Sequence, residues 1–215
     1  MKIMKELFNG VYFHKGNFYT KNLVNGQSVY GEKLLIVNGI EYRQWDCYRS
    51  KLAAALKNGL KHFPFKANSK VLYLGASTGT TVSHLSDICS KGIIYAIEVS
   101  EKMMEKLIML AEKRENIIPI LADARMPGHY SDIGNVDIIY QDIAQPDQTR
   151  ILIDNAKLFK PKHMFLCLKA HSIDVTKTKK QILDIALDEL KVFNIVEVIN
   201  LEPYDKEHYF IYMKA

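Results

Sequence analysis

Residues 70–81, Lys-Val-Leu-Tyr-Leu-Gly-Ala-Ser-Thr-Gly-Thr-Thr, constrain the fold more than any other stretch of the chain. Val71, Leu72 and Leu74 form a short apolar run of the kind a buried strand shows. Gly75 and Gly79 follow with small residues between them, and Val82, His84, Leu85 and Ile88 then recur at helical spacing. Thr80 or Thr81 is the expected cap of that helix. A strand, a tight glycine turn and a helix make the opening unit of a nucleotide-binding α/β domain. Glycine is needed where backbone must approach a ligand that a Cβ would obstruct.

The segments that follow extend the same pattern. Gly92–Val99 reads as a second buried strand that delivers Glu98, about 20 residues past the glycine turn. Ile117–Ala124 delivers Asp123, Val136–Pro146 delivers Asp142, and His163–Lys169 ends in a lysine. Helices are expected over 149–159 and 177–192, with another carrying the apolar stripe Met103, Met104, Leu107, Leu110 and Ala111. Asn194–Leu201 and Tyr209–Met213 supply the sixth and seventh strands. The link between those two is too short for a helical crossover, so the last strand is expected to run antiparallel.

Residues 1–47 read differently, as a small β domain ahead of the α/β domain of residues 48–215. Val11-Tyr-Phe13 and Phe18-Tyr19 flank a turn at Lys15-Gly16-Asn17, and Leu34–Val37 and Ile40–Tyr42 flank Asn38-Gly39, a strong hairpin signal. A helix is expected over 48–60, capped by Ser50 and stopped at Gly59. Lys51 then falls in its first turn, where a cation opposes the helix dipole and ordinarily points to solvent.

Hydrophobic residues make up 48% of the 215, enough for a full core. No apolar run reaches membrane-spanning length and the start lacks a signal-peptide pattern, so a cytoplasmic location is expected. Cys47, Cys89 and Cys167 are too few and too scattered for a disulfide framework or a zinc site, and read as packing residues. A net charge of +5 permits a polyanionic partner without requiring one. Lys157, Lys160, Lys162, His163, Lys177, Lys179 and Lys180 flank the carboxyl half of the sheet, either as a path for such a polyanion or as solvated helix ends.

Ligands of an open parallel sheet bind beyond the carboxyl ends of its strands, where this chain places the glycine turn, Glu98, Asp123, Asp142 and Lys169. Glu98 can accept from ribose hydroxyls and Asp123 from an exocyclic adenine amine. The turn Gly75-Ala-Ser-Thr-Gly79 is neither a Walker loop nor a dinucleotide fingerprint. With an antiparallel last strand, this adenosine pocket without phosphate chemistry fits S-adenosylmethionine better than NAD.

The motifs Tyr73–Thr81, Tyr95–Glu98, Asn116–Ala124, Asp142-Ile-Ala-Gln-Pro146 and Lys169–Asp174 together resemble fibrillarin. Thr20–Val24, Val29–Leu34 and Tyr48–Ala54 extend the likeness over nearly the whole chain, which starts directly with the small β domain as in the archaeal form. The resemblance implies a Rossmann-like S-adenosylmethionine-dependent methyltransferase fold. It implies a 2′-O-methyltransferase acting on rRNA and tRNA inside a box C/D guide ribonucleoprotein. The implied partners are guide and target RNA, a Nop-type scaffold and a kink-turn-binding protein of the ribosomal type. The implied cofactor-binding residues are Gly75, Ala76, Thr80, Thr81, Glu98, Val99, Asp123, Ala124, Asp142, Ile143, Ala144 and Gln145. Related RNA 2′-O-methyltransferases share a Lys-Asp-Lys-Glu/His tetrad, matched here by Lys51, Asp142, Lys169 and His208. Departures from the pattern are Gln141 in place of a frequent acid, Cys47 for a frequent proline and His171 for arginine or asparagine; none removes a tetrad or cofactor residue.

The chemistry suits the tetrad. A ribose 2′-hydroxyl is a poor nucleophile and needs a base or strong positive polarisation. Lys169 is the expected base, Asp142 its positioner, and His208 orients the hydroxyl or holds the lysine pair. The methyl of a sulfonium is already activated, so no metal is required. A non-catalytic, cofactor-binding assembly subunit is the alternative of a different class, against which an intact tetrad speaks. An amino-methyltransferase would need Asp/Asn-Pro-Pro-aromatic where this chain has Asp-Ile-Ala-Gln-Pro.

Overall fold

Residues 4–174 and 176–215 are described by a computed structural model, apart from the His171 side chain. The amino-terminal segment folds into β1 (Lys5–Phe8), β2 (Val11–His14), β3 (Asn17–Lys21), β4 (Leu34–Val37) and β5 (Ile40–Trp45), an antiparallel sheet in the order β1-β2-β3-β5-β4. Both expected hairpins close with two residues, His14 facing Asn17 and Val37 facing Ile40. Asn17 therefore belongs to β3 rather than to the turn. Lys15, Gly16, Asn38 and Gly39 all take positive φ, as turns matched to the strand twist demand. β1 has no alternating pattern of its own; pairing with β2 makes it a strand.

α1 (Lys51–Lys57) follows, shorter at both ends than expected because Ser50 caps it and Asn58 closes it before Gly59. The main sheet then builds from β6 (Lys70–Leu74), β7 (Ile93–Glu98), β8 (Ile117–Leu121), β9 (Ile138–Gln141), β10 (His163–Lys169), β11 (Asn194–Asn200) and β12 (His208–Lys214). Its order is β11-β12-β10-β9-β6-β7-β8. β6 to β10 are parallel, and β12 is antiparallel to both its neighbours, β10 and β11. The expected antiparallel last strand is therefore present. The helices between are α2 (Thr80–Ile88), α3 (Glu101–Ala111), α4 (Gln148–Phe159) and α5 (Lys179–Glu189). α5 starts on a Thr178–Gln181 capping box. It is shorter than the expected 177–192, whose last residues wind into a separate 3-10 turn, Leu190–Val192.

Alternating strand residues feed two cores on opposite faces of the main sheet. Val71 and Tyr73 pack with Leu52, Leu85 and Leu107 from α1, α2 and α3. Leu72 and Leu74 pack with Leu152 and Ala186 from α4 and α5. Val11, Phe18 and Trp45 join the first core, so the small sheet shares apolar contact with the large one. The boundary expected near residue 47 falls between β5 and α1. Among the described residues no helix is long and apolar enough to cross a membrane. Cys89 and Cys167 are fully buried packing residues, whereas Cys47 is only partly buried.

One buried polar network also joins the two sheets. Asp87 on α2 accepts from Thr20, the Leu23 amide, Arg43 and Arg114. Arg43 also pairs with Glu32 at 2.6 Å. His84, one turn earlier on α2, lies between the hydroxyls of Thr20 and Tyr30, each at 2.8 Å. Thr20 gives its proton to Asp87, so His84 Nδ1 carries the hydrogen of their contact. Burial, reinforced by the Arg43 and Arg114 guanidiniums, holds the His84 pKa well below the ordinary 6.5. The unfolded chain therefore binds a proton near pH 6.5 that the folded chain refuses. Stability is intact above that value and falls as pH drops below it, by about 1.4 kcal/mol per pH unit for this one site. Urea melts between about pH 5 and 7 should show that slope, and His84→Gln should flatten it by roughly one proton's worth. An unchanged slope in the variant would exclude His84 as the source.

Candidate active site

The glycine turn is held from two sides. The Gly75 and Ala76 amides both donate to the Ile97 carbonyl at 3.0 Å, tying the turn to the end of β7. A Cβ on Gly75 would lie 2.2 Å from the Asp142 carbonyl oxygen, and Gly75 has φ +83. The backbones after β6 and β9 thus cross in contact, and only glycine permits it. The expected threonine cap is corrected here: Gly79, in the left-handed region, is the N-cap of α2 and no side chain caps the helix. Thr80 and Thr81 already lie inside the first turn, and the Thr81 hydroxyl bonds to Ser50 at 2.9 Å.

A cavity opens beyond the carboxyl ends of β6, β7, β8 and β9. Of the residues expected to bind cofactor, it is lined by Gly75, Glu98, Val99, Asp123, Ala124, Asp142, Ile143, Ala144 and Gln145. Ala76, Thr80 and Thr81 are not among its walls. Ala76 and Thr81 are buried, and Thr80 lines a separate groove with Arg49 and Lys106. Ser77, Ile97, Ala122, Arg125 and Ile151 complete the walls without a sequence signal of their own. Four larger cavities, of about 580, 510, 450 and 300 Å³, lie elsewhere, and none is lined by Glu98, Asp123 or Asp142.

Glu98 is nearly buried, with one carboxylate oxygen on the Ser77 amide at 2.7 Å and the other on the Ser100 amide at 2.8 Å. Two backbone donors fix its plane, and each oxygen keeps a lone pair for a ribose hydroxyl. Asp123 is gripped by Arg125 in a forked pair, with Nη2 at 2.6 Å, whose hydrogen bonds hold the carboxyl below its ordinary pKa. It remains an acceptor at the pocket mouth. These residues fit an adenosine group: an acid pre-set for a diol, an acid for an amine, and a glycine crossing that keeps the floor open. Gly75→Ala should lower S-adenosylmethionine affinity and melting temperature together, because the Asp142 carbonyl must move at a strain cost of about 1–3 kcal/mol. Gly128→Ala, with nothing within 4 Å of its Cβ, is the control. Calorimetry showing equal affinity in both variants would contradict the crossing argument.

Beside this cavity the four tetrad positions fall into two pairs, Lys51 with Asp142 and Lys169 opposite His208, and His208 feels the charges of Lys51 and Asp142. Lys51 Nζ donates to Asp142 Oδ2 at 2.9 Å, which resolves the misfit of a cation in a first helical turn and corrects the expectation that Asp142 positions Lys169: its carboxylate is held by Lys51 instead. Burial pulls the Lys51 pKa down, but Asp142 and other neighbouring negative groups outweigh it and hold the ammonium above its ordinary value. Lys169 ends β10 and faces His208, the first residue of β12. His208 is therefore a strand residue and 6% exposed, not part of the loop before the last strand. Its Nδ1 lies 2.6 Å from Asp205 Oδ1. Burial first, then the Lys51 charge, pushes the His208 pKa down against the pull of Asp205. Asp205 was the member of this cluster with no motif to mark it.

The basic residues around α4 and α5 divide. Lys157, Lys177 and Lys179 are tied to Asp154, Asp174 and Glu202 of their own chain. His163 bonds to Tyr212. The His171 side chain lies outside the described residues.

The Fibrillarin family model matches residues 3–215. A fibrillarin-like rRNA/tRNA 2′-O-methyltransferase of Thermoplasma volcanium is 52% identical over 186 residues, covering 86% of this chain and 84% of the relative. The crystal structure of Aeropyrum pernix fibrillarin with natively bound S-adenosyl-L-methionine superposes with a TM-score of 0.87 at 40% identity, covering 99% of this chain and 100% of that one. The fibrillarin of a fibrillarin/Nop5p complex gives 0.90 at 45% identity, with 98% and 99% covered. The likeness runs along the whole length, and this chain belongs to the fibrillarin family.

Proposed function

We propose that this protein transfers a methyl group from S-adenosylmethionine to ribose 2′-hydroxyls of rRNA and tRNA at positions chosen by a box C/D guide RNA. The observation that carries the reading is the Lys51–Asp142 ion pair beside the cofactor cavity, with Lys169 and His208 facing each other on the adjoining strands. When bound, S-adenosylmethionine supplies a sulfonium-activated methyl. Asp142 anchors Lys51 as a fixed cation that steadies negative charge on the ribose oxygen. Among the described residues the Lys169 side-chain nitrogen has no hydrogen-bond or ion-pair partner, so as a neutral amine it is the group free to take the 2′-hydroxyl proton and become the ammonium. His208, neutral and clamped by Asp205, orients the hydroxyl. Much of the rate comes from holding oxygen and methyl in line.

A Nop5p-bound relative supports a Nop-type scaffold partner for this chain, and the reading adds a kink-turn-binding protein of the ribosomal type. Carbon methylation through a thiolate is unsupported, because Cys167 is fully buried and burial pushes its thiol far above the ordinary range. A purely structural subunit would have no need of a Lys51–Asp142 ion pair held beside such a cavity.

The test is a reconstituted particle with guide RNA, scaffold and kink-turn protein. Methyl should enter the guided nucleotide of a matched target and move when the guide is changed. A 2′-deoxy substitution at that one nucleotide should abolish incorporation. Equal labelling of the deoxy target would refute O2′ as the acceptor.

A further inference from the structure

β9 ends at Gln141 and leaves the sheet, while β10 runs on to Lys169. The β9–β10 pairing stops at Gln141 opposite Leu166, so on that side Lys169 has no strand beside it. A side chain takes the missing strand's place. The Lys169 N–H donates to Gln148 Oε1 at 2.9 Å, and Gln148 Nε2 donates back to the Lys169 carbonyl at 3.1 Å. The Gln148 amide thus pairs with the Lys169 main chain as a neighbouring peptide would. Gln141 completes the link, its Nε2 donating to the Gln148 carbonyl at 2.7 Å. Both glutamines are 0% exposed.

Two consequences follow for the site. Because the Lys169 N–H and carbonyl are both spent on Gln148, Lys169 and His208 exchange no main-chain bonds with each other. The next bond of the ladder, Ala170 N–H to the Glu207 carbonyl, agrees with that register. Opposed residues of this kind are the closest side-chain pair in an antiparallel ladder. Gln141 also immediately precedes Asp142. The glutamine pair therefore joins the strand end carrying Asp142 to the strand end carrying Lys169.

We propose that Gln148, backed by Gln141, is a positioning residue that sets Lys169 against His208 and Asp142 for proton removal from the target 2′-hydroxyl. The proposal rests on the methyltransferase reading above. Gln148 does not line the cofactor cavity, so its loss should act on chemistry rather than on S-adenosylmethionine binding.

Gln148→Met keeps the length and bulk of the side chain and removes both hydrogen bonds. In the reconstituted particle its single-turnover methylation rate should fall about 10- to 100-fold, the effect of misplacing a reacting group by about an ångström. Cofactor Kd and the KM for target RNA should stay within about twofold. Two groups that act as one unit do not add. Gln148→Met in a Lys169→Ala background should therefore cost less than about twofold more than Lys169→Ala alone. A wild-type rate in Gln148→Met overturns the proposal, and so does a loss that multiplies with that of Lys169→Ala or tracks lost cofactor binding. If the wild-type particle itself fails to methylate O2′, the functional reading falls instead, and that control is run alongside.

Discussion

Lys169→Ala is expected to reduce methyl transfer by about 10²- to 10⁴-fold, the usual worth of a positioned acid–base group, while S-adenosylmethionine binds as before. The separation of effects follows from geometry. Lys169 ends β10 and does not line the cofactor cavity, which is walled by the ends of β6 to β9. Lys51 cannot substitute for it, because Asp142 at 2.9 Å commits Lys51 to the charged state. The two lysines should therefore respond differently to arginine. Lys169→Arg should be as inactive as Lys169→Ala, since a guanidinium keeps its protons and cannot serve as a base. Lys51→Arg should retain more activity than Lys51→Ala, since a fixed cation on Asp142 is all that position supplies. Single-turnover labelling of a guided target, with calorimetry for the cofactor, reads both predictions. A wild-type rate in Lys169→Arg would remove the base role from Lys169 and leave it as a second fixed charge.

Much of this site was legible because each part sits at the end of a strongly patterned strand. Glu98, Asp142 and Lys169 close or immediately follow apolar runs, and a parallel sheet delivers such positions to one edge. Lys51 was harder. Its helical position argues for solvent, and only the likeness to related methyltransferases singled it out; the structure supplies the physical reason in the ion pair to Asp142. His208 reads as a loop residue because Pro203 and Asp205 precede it, but pairing with β10 extends the last strand over it. Two kinds of feature left no pattern to read. Asp205 and Arg125 act through contacts two or three residues away that have no periodicity. Gln148 looks like the start of an ordinary helix until the neighbouring strand is seen to end early. The threonine cap failed for a related reason: strong capping residues were present at Thr80 and Thr81, but the tight glycine turn enters the helix one residue sooner.

The largest stability effect is expected at Asp87, far from the chemistry. Its carboxylate is fully enclosed and takes Arg43 at 2.9 Å and Arg114 at 2.6 Å. Asp87→Ala strands both guanidiniums in a space closed to water, and removing one partner from such a network costs about 3–5 kcal/mol. The surrounding bonds limit the damage without removing it: Arg43 keeps Glu32, and Arg114 keeps the Ser83 carbonyl and Asn22. The exposed Arg150–Asp154 pair on α4 has a similar 2.6 Å contact, yet Asp154→Ala should change stability by less than about 1 kcal/mol. Similar shortest contacts with unequal effects would show that enclosure and the number of partners, rather than contact length, set the cost. Urea unfolding of the two variants makes the comparison, and a loss at Asp87 no larger than that at Asp154 would refute it. The network also has a position that matters for function. Asp87 and His84 lie on α2, the helix that begins at the glycine turn, and their partners Thr20, Tyr30 and Arg43 come from the small sheet or the loop inside it. Loosening it should therefore free the sheet from the helix that the cofactor turn enters. Asp87→Ala is expected to lose S-adenosylmethionine affinity as well as stability, whereas Asp154→Ala should lose neither.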